Sequence, residues 1–151
     1  MPVFNLKNED NLQYFPFNRL KLIELLEKAY REISTHIGPF VESPITVNIK
    51  KSGISGAENG YFGISPFCLS EDKLSTQAAI ERMYSLIIHE MTHVLTYQWG
   101  EGFLPLFFEG IAYLMSSECE SIDKKQIDRI ISKMYFDSKG LSINKIYNCV
   151  S

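Results

Sequence analysis

The sequence predicts an α+β domain with a short, mostly antiparallel sheet. Apolar residues repeat at helical spacing near the N-terminus and again through the second half of the chain, and a strand-like alternation lies between them. Because the order is helix, then strands, then helices, the pattern differs from the repeating strand–helix–strand units of an α/β protein. No linker, repeat or low-complexity tract interrupts the sequence, so residues 1–151 are predicted to form a single domain.

The helices follow from the spacing of apolar residues and from residues that begin or end a helix. The predicted helices cover about residues 19–36, 75–99, 104–118 and 123–135. Asn18 is a suitable N-cap for the first helix, and Gly38-Pro39 ends it. Pro105 suits the first turn of the third helix.

The strands are predicted between residues 45 and 69. Apolar and polar residues alternate over 45–49, as expected for a half-buried strand. Residues 53–60 are rich in glycine and are predicted to form a turn. A second strand is predicted over 61–69, where Pro66 indicates either an edge strand or a short strand.

Composition excludes several classes of partner. Hydrophobic residues make up 45% of the chain and charged residues 22%, with a net charge of −3, so a nucleic-acid-binding surface is not expected. The apolar runs are too short to span a membrane, and the N-terminus does not resemble a signal peptide. Cys68, Cys119 and Cys149 form no CxxC pair, which favours reduced thiols and a cytoplasmic location.

The segment "IIHEMTHVL" places two histidines and a glutamate in a helical run. Residues four apart on a helix project about 40° apart, so His89 and His93 can both reach one Zn²⁺ ion at about 2.0–2.1 Å. Glu90 lies about 100° from His89 around the helix and is too far round to be a natural third ligand. It can instead accept a proton from water that a metal has made acidic.

The apolar face of the same helix points elsewhere. Relative to His89, it lies between about 160° and 240° and comprises Ile80, Tyr84, Ile87, Met91 and Leu95. The two histidines are therefore not predicted to be core residues.

A zinc ion with a catalytic role has three protein ligands and one open position, so a third ligand is expected. Glu109 in "FFEGIAYL" faces away from the apolar stripe of its own helix. Gly110 leaves room for a neighbouring helix, and the turn between Gly100 and Gly102 lets this helix fold back beside the first. Glu109 is therefore the candidate third ligand.

HExxH followed sixteen residues later by the glutamate of "FFEGIAYL" resembles the gluzincin metallopeptidases of the peptidase MA-like group, and the short chain resembles the minigluzincins. The resemblance covers about residues 45–114. It implies a zincin-like fold, a Zn²⁺ cofactor and a peptide or protein substrate. It also implies that His89, His93 and Glu109 bind the metal and that Glu90 is the general base and acid.

Two features depart from that family. Thermolysin-like gluzincins have an aspartate that orients a zinc-bound histidine four residues after the ligand glutamate, and Tyr113 occupies that position here. Larger members continue beyond the segment "LSINKIYN" with helices that close the cleft and bring a tyrosine or histidine to the oxyanion. Tyr135 and Tyr147 are the candidates for that role in this chain.

Two further expectations concern ligands of the site. An extended peptide is predicted to add as a strand beside residues 61–69. The resemblance implies that minigluzincins can be latent, and the final segment "NKIYNCVS", with Cys149, could reach the zinc within one chain or between two self-associated copies. The alternative function is that of a catalytically idle, zinc-stabilised binding or regulatory module.

Overall fold

The structure is a computed structural model that describes residues 1–69, 74–100 and 105–116. Its elements are, in order, β1 (Phe4–Lys7), α1 (Arg19–Ile37), β2 (Ile45–Ile49), β3 (Gly56–Glu58), β4 (Tyr61–Ile64), α2 (Thr76–Tyr97) and α3 (Pro105–Met115). Short 3-10 helices occupy Glu9–Tyr14 and Pro66–Leu69. This is an α+β fold, as predicted. The predicted helix over 123–135 and the C-terminal segment lie outside the described residues.

The four strands form a mixed sheet in the order β1-β2-β4-β3, so the prediction of a mostly antiparallel sheet is wrong. β1 pairs with β2, and β2 with β4, in parallel, while β3 and β4 are antiparallel. α1 connects β1 to β2. Because the helix carries the chain back along the sheet, β2 begins at the same end as β1 and the two strands run in parallel. The chain reverses direction between β3 and β4, so β4 runs in the same direction as β2.

Of the two alternatives for the strand starting at Tyr61, the short strand is confirmed, since β4 has four residues, and the edge strand is wrong. β4 lies between β2 and β3, and β3, within the segment predicted as a turn, forms one of the two edges of the described sheet. Asn59-Gly60 is the two-residue connection between Glu58 and Tyr61, with Gly60 at φ 65°. Pro66 stands beyond the end of β4, at the start of a 3-10 helix, where it does not restrict strand pairing.

Side-chain caps fix where the two long helices begin. The Asn18 side chain accepts a hydrogen bond from the Lys21 amide at 3.0 Å, as predicted for the start of α1. Ser75 accepts one from the Ala78 amide at 3.1 Å at the start of α2. Within the described ranges, none of the helices combines the length and apolar character that a membrane span needs.

One face of the sheet and the apolar faces of the helices form the core. Its fully buried members include Ile45, Val47 and Ile49 of β2, Phe62 and Ile64 of β4, Leu22, Leu26 and Ile33 of α1, Ile87, Met91 and Leu95 of α2, and Phe107 and Ile111 of α3. The predicted apolar face of α2 is confirmed, with Ile80 and Tyr84 half-buried at its border. The face of α2 that carries the histidines therefore lies outside this core.

α2 and α3 form an antiparallel hairpin. Contacts along its length pair Ser85 with Ser116, His89 with Tyr113, His93 with Glu109, and Trp99 with Phe107. The Ser85 hydroxyl donates to the Ser116 carbonyl at 3.0 Å at one end. The rings of Trp99 and Phe107 lie 6.3 Å apart at the other. The hairpin brings residues far apart in sequence into a fixed register.

Candidate metal centre

His89 and His93 lie one turn apart on α2 and direct the same ring atom toward one point. Their Nε2 atoms are 3.2 Å apart, and their ring centroids are 4.9 Å apart. Both side chains are largely buried, with exposed fractions of 14% and 18%. They thus present two nitrogen donors at the surface of a cavity without lying in the core.

Glu109 completes the group from α3. One carboxylate oxygen lies 3.2 Å from His93 Nε2 and the other 3.5 Å from His89 Nε2. The ligand atoms of the three residues all lie within 4.8 Å of one another, a cluster that could hold a metal ion. The structure therefore brings together the three residues that the sequence predicted as ligands.

The spacing of these donors can be compared with that of a coordinated ion. For bonds of about 2.0–2.1 Å, two ligands of a tetrahedral ion lie about 3.3–3.4 Å apart, and neighbouring ligands of an octahedral ion about 2.9 Å apart. The two histidine nitrogens are 3.2 Å apart, and one Glu109 oxygen lies 3.2 Å from His93 Nε2 while the other lies 3.5 Å from His89 Nε2. Each of these separations is of the size expected between two ligands of one tetrahedral ion, and the carboxylate spans both histidines with its two oxygens.

Electrostatics also favours the ligand form of His93. Burial lowers the pKa of His93; the Glu109 carboxylate opposes this, and the neighbouring His89 adds to the decrease. A lower pKa keeps the imidazole neutral, and the neutral imidazole is the form that binds a metal.

Glu90 lies between the two histidines in sequence and lines the same cavity. Only 7% of the residue is exposed. The pKa of Glu90 is raised to about 7, mainly by burial and also by the Glu109 carboxylate, while the Lys50 ammonium group opposes the change. A cation held by the three predicted ligands would also favour the ionised form. This carboxyl group is therefore placed where it can gain and release a proton near neutral pH.

The cavity has a volume of about 620 Å³, which is within the range of small-ligand sites. Its walls comprise the predicted ligands and Glu90, the segment Ser55 to Ala57 at the start of β3, and Thr96, Tyr97, Gly100 and Phe108. Phe108 both packs against the core and lines this cavity.

The β3 wall was missed because Gly53, Gly56 and Gly60 suggested a turn over the whole segment. The dipeptide Asn59-Gly60, a common signal of a two-residue hairpin connection, could have indicated a strand on either side.

Tyr113 was noted in the sequence only for replacing an aspartate. In the structure its ring packs edge-to-face on the His89 ring, with centroids 5.1 Å apart and an angle of 79° between the planes. Its spacing of four residues from Glu109 was the signal that places it on the same face of α3. Tyr135, Tyr147 and Cys149 lie outside the described residues, so their predicted roles stay predictions.

Comparisons with protein-family models, with curated proteins and with solved structures find no match to this chain.

Proposed function

We propose that this protein is a zinc metallopeptidase in which His89, His93 and Glu109 hold the metal and Glu90 transfers protons. The observation that carries the proposal is the convergence of two imidazole nitrogens and a carboxylate, with ligand atoms all within 4.8 Å of one another, beside a buried carboxyl group that lines the same cavity. A solvated histidine pair on a helix surface would not need a third donor from another helix at 3.2–3.5 Å from both rings.

Each part of the chemistry has a residue to perform it. A zinc ion held there would make water acidic near neutral pH and polarise a substrate carbonyl. Glu90 accepts the proton of the attacking water and delivers it to the leaving amine, which requires a carboxyl group that can both gain and release a proton. Because the backbone of α2 fixes Glu90 next to His89, the proton acceptor and the metal ligands keep one relative position.

The cavity favours an extended peptide as the substrate. β3 is one edge of the described sheet, and its first residues form one wall of the cavity, so a peptide can pair with β3 while it lies across the histidines. This replaces the earlier expectation of pairing beside residues 61–69, since both sides of β4 are occupied. Tyr97 and Phe108 give the cavity an apolar wall, which favours cleavage next to a bulky apolar side chain.

Cleavage of a quenched fluorogenic peptide library, with and without a zinc chelator, tests the proposal. We expect zinc-dependent cleavage by the native protein and its loss in Glu90→Gln, with zinc still bound. Glu81→Gln is the matched control because Glu81 is an exposed residue of the same helix, about 180° from Glu90 around the helix axis. Cleavage that survives in Glu90→Gln would contradict the assigned role of Glu90. Zinc binding without cleavage of any peptide would favour the idle binding module.

A further inference from the structure

We infer that Tyr113 is a positioning residue that holds the His89 imidazole in the orientation needed to bind a metal. The inference rests on the proposed metal site and concerns how that site is kept in shape. In the gluzincins that the sequence resembles, an aspartate would occupy this place, so the device inferred for this chain is a different one.

The register of the α2–α3 hairpin puts Tyr113 opposite His89. His89 and His93 are one turn apart on α2, and Tyr113 and Glu109 are one turn apart on α3. Since the helices are antiparallel, Glu109 meets His93 at 3.2 Å and Tyr113 meets His89 one turn further along. Glu109 therefore approaches both histidine rings, and Tyr113 adds a contact to the ring of His89.

Two rings restrict the orientation of His89. The His93 ring meets it nearly perpendicularly, at 4.9 Å and 73°, and the Tyr113 ring does so at 5.1 Å and 79°. The outer torsion of a histidine side chain has a broad energy profile, so its surroundings decide where the ring points. A rotation of His89 that tilts its ring out of the present plane would break the edge-to-face contact with Tyr113 and move Nε2 away from Glu109.

The exposure of Tyr113 indicates that it is not a residue of the hydrophobic core. Tyr113 is 45% exposed, whereas its neighbours Ala112 and Leu114 are 0% and 3% exposed. Tyr113 therefore lies outside the core, and within the described residues the ring contact that the structure gives it is the one with His89. Because that contact is made by the ring, phenylalanine should perform the same role.

The test measures the zinc dissociation constant of the full chain by competition with a chromophoric chelator, together with the visible spectrum of the Co²⁺-substituted protein. We expect Tyr113→Ala to weaken zinc binding about 3- to 10-fold, the effect of losing one edge-to-face ring pair, and to alter the Co²⁺ spectrum. Tyr113→Phe should retain native affinity and spectrum. Tyr14→Ala is the matched control because Tyr14 is 44% exposed and packs near Lys51, away from the cavity.

The outcomes separate this inference from the proposed function. If the native chain binds no zinc, both fail. If it binds zinc and Tyr113→Ala has the native affinity and spectrum, only the inference is overturned. It is also overturned if Tyr113→Phe weakens zinc binding as much as Tyr113→Ala, since the hydroxyl group and not the ring would then be responsible for the effect. A drop in the melting temperature of the metal-free Tyr113→Ala protein with unchanged zinc affinity would make Tyr113 a purely structural residue.

Discussion

The buried carboxyl group of Glu90 makes the metal-free protein sensitive to pH, and Glu90→Gln should remove much of that sensitivity. Folding takes this side chain to 7% exposure and raises its pKa from 4.5 to about 7. The folded protein thus holds the Glu90 proton more strongly than the unfolded chain does. The associated stability is fully present below about pH 4.5 and is lost as the pH rises through about 7.

The size of the effect follows from the change in pKa. One pKa unit corresponds to about 1.4 kcal/mol, so ionised Glu90 lowers the free energy of unfolding at pH 8 by about 3 kcal/mol relative to pH 4. Glutamine resembles the neutral carboxyl group and does not titrate. The stability difference between Glu90→Gln and the native protein should therefore increase by about 3 kcal/mol between pH 4 and pH 8. For a domain of this size that corresponds to about 6–12 °C in melting temperature.

The assay is thermal and urea unfolding of both proteins in a chelating buffer across this pH range. Glu81→Gln serves as the control for loss of an exposed carboxylate on α2. Adding zinc should reduce the difference between Glu90→Gln and the native protein, since a nearby cation stabilises the ionised form. Parallel pH profiles for the native and Glu90→Gln proteins without metal would refute the burial argument.

Three other expectations address the cavity and its surroundings. An extended peptide should compete for the site better than a helical peptide of equal composition, as measured by inhibition of cleavage; equal inhibition would count against pairing with β3. Removal of residues 145–151 should raise activity or inhibitor binding with zinc retained, and no change in a folded protein would show that the tail is not inhibitory. Gly63→Ala should cost about 1 kcal/mol in urea unfolding, because the new Cβ would lie 2.7 Å from Lys50 Cε and displace the 2.8 Å hydrogen bond from Lys50 Nζ to the Ile54 carbonyl. That cost should disappear in a Lys50→Ala background.

The helices and the donor residues could be predicted because they depend on local periodicity. The spacing of His89 and His93, and the direction of Glu109 relative to its own apolar stripe, are properties of a single helix. That periodicity does not show whether α2 and α3 pack against each other. The Gly100 region made a hairpin possible, and packing of Phe107 and Ile111 in the core fixes how α3 lies.

The sheet was harder to predict because its pairing depends on contacts between distant segments. Phe4 pairs with Ile45 across α1, and no local pattern records that this contact is parallel. β3 has three residues, two of them exposed, so it lacks the alternation that reveals a half-buried strand. Tyr113 was not assigned a role because its contact with His89 depends on the register of two helices.

The most direct test of the proposed site is the zinc content of the purified chain, measured by native mass spectrometry for the native protein and for single-ligand variants. We predict one zinc per native chain, one per chain in Glu90→Gln, and loss of most of the zinc in His89→Ala, His93→Ala and Glu109→Ala. A native protein that binds no zinc under buffered zinc, or a Glu109→Ala protein that keeps its full complement, would contradict the assignment of these three residues as the metal ligands.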